Sequence, residues 1–136
     1  MDTYRTNSHK LAGTNYSEVY PQAYSLYKRI CAKTKRRPYI RSAYFGKEKV
    51  FLDYFWQHIR QKNLNDRVRR LKCYPCGLDL IAHSKVKPVS KENPNRRRDM
   101  LHRFSGVTSN GEQFFVQIME DRKNGQKHFI SVFPPE

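Results

Sequence analysis

Three stretches near the end of the chain decide the fold: Leu101-His-Arg-Phe-Ser-Gly-Val-Thr108, Phe114-Phe-Val-Gln-Ile-Met-Glu120 and Lys127-His-Phe-Ile-Ser-Val-Phe133. Each is short and rich in Phe, Val and Ile. Ser-Asn-Gly and Lys-Asn-Gly separate them, so the segment reads as a strand meander with two hairpins. Two turn lengths compete. Three-residue loops at 109–111 and 123–125, each ending in a glycine suited to positive φ, pair Phe104 with Val116 and Ile118 with Ile130. Two-residue Asn-Gly turns would set Phe104 against Gln117 and Gln117 against Val132, mixing the faces. The three-residue loops are therefore expected. They put His102, Phe104, Val116, Ile118, Ile130 and Val132 on the core face, and His128 with them. On the other face Arg103, Gln117 and Ser131 align in one row across three strands, beside a row of Ser105, Phe115 and Phe133. An arginine, an amide and a hydroxyl converging there suit an anion; the alternative is an ordinary polar outer face.

Upstream, the pattern turns helical. Tyr20, Tyr24 and Tyr27 recur at helical spacing behind a Ser17 cap, with Pro21 in the first turn. Arg37-Pro38 ends that run. Residues 47–61 predict the clearest helix, with Phe51, Leu52, Phe55, Trp56 and Ile59 on one stripe. Asn65 caps a basic helix, Asp66 to Lys72, and Pro75 opens another to His83 whose buried face is Leu78, Ile81 and Ala82. Residues 84–98 read as a long basic loop, functional or mobile. The expectation is an α+β chain: a loose lead-in at 1–16, then one domain at 17–136. In that domain basic helices at about 17–83 pack on one face of an antiparallel meander, 101–134, of at least three strands.

The chain has 136 residues, with 27 Lys and Arg against 12 Asp and Glu, a formal charge of +15. A 13% aromatic content sets it apart from disordered basic tails. The charge is not spread evenly: residues 1–27 are neutral, residues 28–98 carry +16 and residues 99–136 carry −1. The clusters are Lys33, Lys35, Arg36, Arg37 and Arg41; Arg67, Arg69, Arg70 and Lys72; and Arg96, Arg97 and Arg98. Such segregation points to a polyanion, with nucleic acid first, although solvated faces would also use these residues. No stretch has the length of a membrane span, so no membrane partner is expected. The start shows no signal-peptide pattern, and three cysteines are too few for a disulfide framework, so a cytoplasmic location is expected.

The chemistry is sparse. Cys73-Tyr-Pro-Cys76 could bind zinc only with Cys31 and His83, and reads more simply as two core cysteines flanking a helix start. Carboxylates are too few for a nuclease that works through Mg²⁺, and neither a metal nor a cofactor is expected. A metal-free ribonuclease needs a base for the 2′-hydroxyl, an acid for the leaving oxygen and cations for the phosphorane. His102, Arg103, Lys127, His128 and Ser131 have the right chemistry, with His58 as a further titratable candidate.

Helices followed by a meander ending in Ile130-Ser131-Val132-Phe133-Pro134 resemble the barnase–EndoU–colicin–RelE-like ribonuclease fold, particularly its phage- and mobile-element-associated members. The likeness covers roughly residues 64–135. The resemblance implies a toxin-type endoribonuclease in which Ser131 contacts the phosphate and Arg103 binds it. The expected function is RNA binding with metal-independent cleavage. Arg103, Gln117 and Ser131 would hold the phosphate and His128 or Lys127 would move protons. The basic clusters, Lys35, Arg36, Arg37, Arg41, Arg67, Arg69, Arg70, Lys72 and Arg96 to Arg98, would grip RNA. The alternatives are a non-catalytic nucleic-acid-binding module and a mobile-element accessory protein. A ribosome or an acidic antitoxin is a further expected partner.

Overall fold

The computed structural model describes residues 2–136, and in it four helices and seven strands form an α+β fold. The meander lies at its centre as β5 (Arg96–Val107), β6 (Gln113–Asp121) and β7 (Lys127–Phe133). Phe104 pairs with Val116 across a 109–111 loop, with Gly111 at φ 90° as that turn requires. Gln117 pairs with Ser131 and Val116 with Val132, again as expected.

Below that point β7 departs from expectation. The register shifts between Gln117 and Ile118, so that Ile118 pairs with Phe129 and Ile130 becomes the extra residue of a bulge. The cause is the turn. It spans four residues, 122–125, with Asp121 N–H donating to the Gln126 carbonyl at 2.9 Å and Gly125 left-handed at φ 75°. Phe129, not Ile130, therefore fills the core, and Lys127 and His128 exchange faces.

The sheet is mixed rather than a simple antiparallel meander. Its order is β1-β5-β6-β7-β3-β2, with β1 (Tyr4–Arg5) parallel to β5 and β3 (Lys49–Phe51) parallel to β7. β2 (Tyr39–Arg41) forms the far edge. β4 (Val89–Asn93) pairs with the first half of β5, so the expected basic loop is a hairpin. The expected loose lead-in is tied down: Thr6 is fully buried and gives its hydroxyl to Asp79, which also accepts from Tyr4 Oη at 3.0 Å.

The helices change some boundaries, and the last of them changes its buried face. α1 (Tyr16–Lys33) is capped by Asn15, whose Oδ1 accepts from Glu18 N–H at 3.1 Å, which leaves Pro21 inside the helix. Its tyrosines pack on Trp56, with ring centroids of Tyr24 and Tyr27 both 5.3 Å away. The predicted 47–61 helix is split. Lys49–Phe51 is drawn into the sheet by the free edge of β7, and α2 (Asp53–Ile59) keeps Phe55, Trp56 and Ile59 buried. α3 (Leu64–Lys72) is capped by Asn63, two residues earlier than expected. α4 (Tyr74–His83) buries Tyr74, Gly77, Leu80 and Ile81 rather than Leu78 and Ala82. Gly77 lets its backbone lie on β7: a Cβ there would stand 3.2 Å from Val132 Cγ2. Phe55 stacks on Phe129 at 5.0 Å, joining α2 to the same core.

Candidate phosphate and nucleic-acid site

Ser131, Gln117 and Arg103 stand opposite one another on β7, β6 and β5, one residue beyond the bulge on its register-keeping side. They line a cleft of about 410 Å³ together with Phe133, Ile130 and Leu101 from the sheet. Arg103 Nη2 lies 3.5 Å from Gln117 Oε1. α3 brings Arg70 in from the side. Its Nη1 donates to Ser131 Oγ at 2.6 Å while its Nε holds Asp66 at 3.1 Å. Phe133 lies between the two arginines, with guanidinium carbons 5.2 Å (Arg70) and 5.4 Å (Arg103) from its ring centre. Because Ser131 Oγ accepts from Arg70, its own proton is free for an anion. Two guanidiniums, a hydroxyl and an amide thus meet on a partly apolar floor, with Arg103 exposed and Arg70 half-buried.

α2 supplies the remaining wall with Phe55, His58, Ile59 and, just beyond it, Lys62. His58 is exposed, and its Nδ1 lies 3.0 Å from the Tyr54 carbonyl. A carbonyl can only accept, so Nδ1 carries the proton and a neutral His58 keeps its lone pair on Nε2. Glu136 is the one carboxylate among the described residues lining the cleft.

Lys127 and His128 do not line this cleft. Lys127 is 5% exposed, with Nζ 3.0 Å from Glu48 and 3.7 Å from Glu120. His128 is 3% exposed and stacks on Tyr54 at 4.2 Å. Its Nδ1 lies 3.3 Å from Arg37 Nη2. Burial, then the Arg37 charge, holds its imidazole below the usual histidine range, so it is neutral at neutral pH. His102 lies on the core face as expected, with Ser90 Oγ 2.6 Å from Nδ1 and Glu120 Oε1 accepting from Nε2 at 2.8 Å.

The three basic clusters are at separate places. Lys35 and Arg36 are exposed between α1 and β2, while Arg37 is paired with Asp53 at 2.8 Å and lies over Phe51. Arg41 donates to the Lys47 carbonyl at 3.0 Å. On α3, Arg67 closes the carbonyls of Arg60 and Lys62 at the end of α2, whereas Arg69 is exposed and Lys72 half-buried. Arg97 and Arg98 are exposed on the β4–β5 hairpin, and Arg96 pairs with buried Asp99 at 3.5 Å. Cys73 and Cys76 are fully buried, their thiols pushed up by burial to about 11 and about 12, as two core cysteines at a helix start should be. Among the described residues no three His, Cys, Asp or Glu side chains group as a metal site would need. No described helix is long and apolar enough to cross a membrane.

Sequence reasoning found the Arg103–Gln117–Ser131 row and named His58, but did not bring Arg70 to that row. Arg70 stood only in a charge cluster, and its arrival at Ser131 depends on how α3 crosses β7. Lys62 and Asn93, which complete the lining, carry no local signal. Comparison with protein-family models, with curated proteins and with solved structures finds no match to this chain.

Proposed function

We propose that this chain binds RNA and cleaves it without a metal ion, as a ribonuclease-like domain of the toxin type to which its meander bears a resemblance. One observation carries the reading: Arg103, Gln117 and Ser131 share one row at the floor of a cleft into which α3 delivers Arg70, 2.6 Å from Ser131. In this reading the two arginines and the serine hydroxyl hold the non-bridging oxygens of a phosphodiester and stabilise the charge that builds on them. The 2′-oxygen attacks phosphorus, the bond to the 5′-oxygen breaks as that oxygen takes a proton from water, and a 2′,3′-cyclic phosphate forms. His58 takes the 2′-hydroxyl proton on Nε2, in place of His128 or Lys127, whose burial in their own pairs removes them from the cleft. The test is incubation of purified protein with end-labelled RNA in EDTA. Cyclic-phosphate ends are expected, and intact RNA with or without Mg²⁺ refutes cleavage.

A second reading, a nucleic-acid binder without catalysis, is favoured by the burial of Lys127 and His128. It predicts salt-sensitive RNA affinity and no product. Wild-type protein that retains RNA but never cuts it establishes this reading in place of the first.

A further inference from the structure

The phosphate cleft is the first of three hollows joined end to end. It shares Arg70, Phe133 and Glu136 with a second of about 340 Å³, walled by Asn63, Asn65 and Arg69. That one shares Arg69 and Pro134 with a third of about 480 Å³, where Lys72 meets His9 and Lys10. α3 is the common wall, and its spacing explains why. Arg69 and Arg70 are adjacent, so about 100° of helix separates them and Arg70 alone reaches the first hollow. Lys72 is three residues beyond Arg69 and shares its side of the helix. Of the acids along the way, Asp66 is paired with Arg69 and Arg70 and Glu112 with Lys10 at 2.6 Å, while Glu136 borders the first two hollows.

We propose that these hollows form a track for single-stranded RNA of at least about three nucleotides, which leads from the phosphate cleft over Arg69 to Lys72 and Lys10. This rests on the RNA-binding reading above and specifies its substrate. One cation-lined hollow follows another along a nine-residue helix about 13 Å long, an order in which one extended strand could set successive phosphates. Asn65 offers an exposed amide to base edges between the phosphate positions.

The test compares a dinucleotide with a ten-nucleotide strand, both 2′-O-methylated to prevent cleavage, by fluorescence anisotropy. The ten-mer is expected to bind at least about tenfold more tightly at low salt. In the variant Arg69→Ala with Lys72→Ala that gain disappears, bringing the two oligonucleotides within about twofold of each other. The slope of log affinity against log salt for the ten-mer then falls by about 1.4, two phosphate contacts at single-strand values. A variant with unchanged circular dichroism ensures that the comparison concerns binding. Dinucleotide and ten-mer binding equally overturns the track and leaves the cleft reading standing. So does a length gain abolished by Arg97→Ala with Arg98→Ala instead, which would put the strand on the hairpin. A blunt RNA duplex binding as tightly as the ten-mer also overturns it. If neither oligonucleotide binds, the RNA-binding reading itself fails.

Discussion

β7 carries polar residues at both ends and treats them in opposite ways. At its start Lys127 and His128 are closed off. One is held between Glu48 and Glu120, the other sandwiched under Tyr54 beside Arg37. At its end Ser131 opens on a cleft where two arginines converge. The two ends are four residues apart in sequence and have similar chemistry. Burial, not residue type, decides which of them can meet a ligand. Charges that satisfy one another inside the fold stabilise it and are lost to substrate, whereas Arg70 and Arg103 retain donors for an incoming anion.

The largest effect that would sharpen this comparison is on cleavage. Arg103→Ala combined with Ser131→Ala should lower the rate of RNA cleavage by at least about 100-fold while the far-ultraviolet spectrum is unchanged. If His128→Asn lowers it equally with the fold intact, the closed end takes part in chemistry and the contrast breaks. Next comes the bulge that separates the ends. Phe129→Ala should destabilise by about 4 kcal/mol and Ile130→Ala by about 2 kcal/mol in urea melts, because Phe129 is packed on all sides and Ile130 borders an open cleft. The reverse order would mean that Ile130 holds the core position.

Smaller effects test the closed end. Lys127→Met should cost about 1–2 kcal/mol, less than a fully buried pair would, since Glu48 and Glu120 remain 58% and 25% exposed. The smallest is a pH effect. His128 has a lowered pKa in the folded chain, so between that value and the ordinary one near 6.5 the unfolded state binds more protons. Stability should therefore be full above about pH 7 and decline as the pH falls below about 6.5. Thermal melts of wild type and His128→Asn should show a shallower decline in the variant, and parallel curves would exclude His128 as the source.

The legible parts of the fold were those decided locally. The 109–111 loop set the pairing of β5 with β6, and the tyrosine spacing of α1 was visible because both signals lie within a few residues. What stayed hidden depends on distant partners. Tyr4–Arg5 and Lys49–Phe51 are too short to show alternation, and they become strands only because β5 and β7 offer free edges. The basic stretch at 89–98 lacks an apolar alternation altogether and pairs as a hairpin through its backbone. The site divides in the same way. Its row on the sheet followed from register, while Arg70 and His58 came from helices whose docking no local pattern encodes.

The bulge at Ile130 also works as a phase break in the strand. Everything between the turn and Ile130 follows the length of the 122–125 connection, while Ser131 to Phe133 follow the pairing with β6 alone. Letting the bulge relax, which shortens the turn to the three residues 123–125 without removing any, would return Lys127 and His128 to the faces that an unbroken ladder dictates. Ser131 would still face Gln117. The cleft is in this sense insulated from changes in the length of its own hairpin.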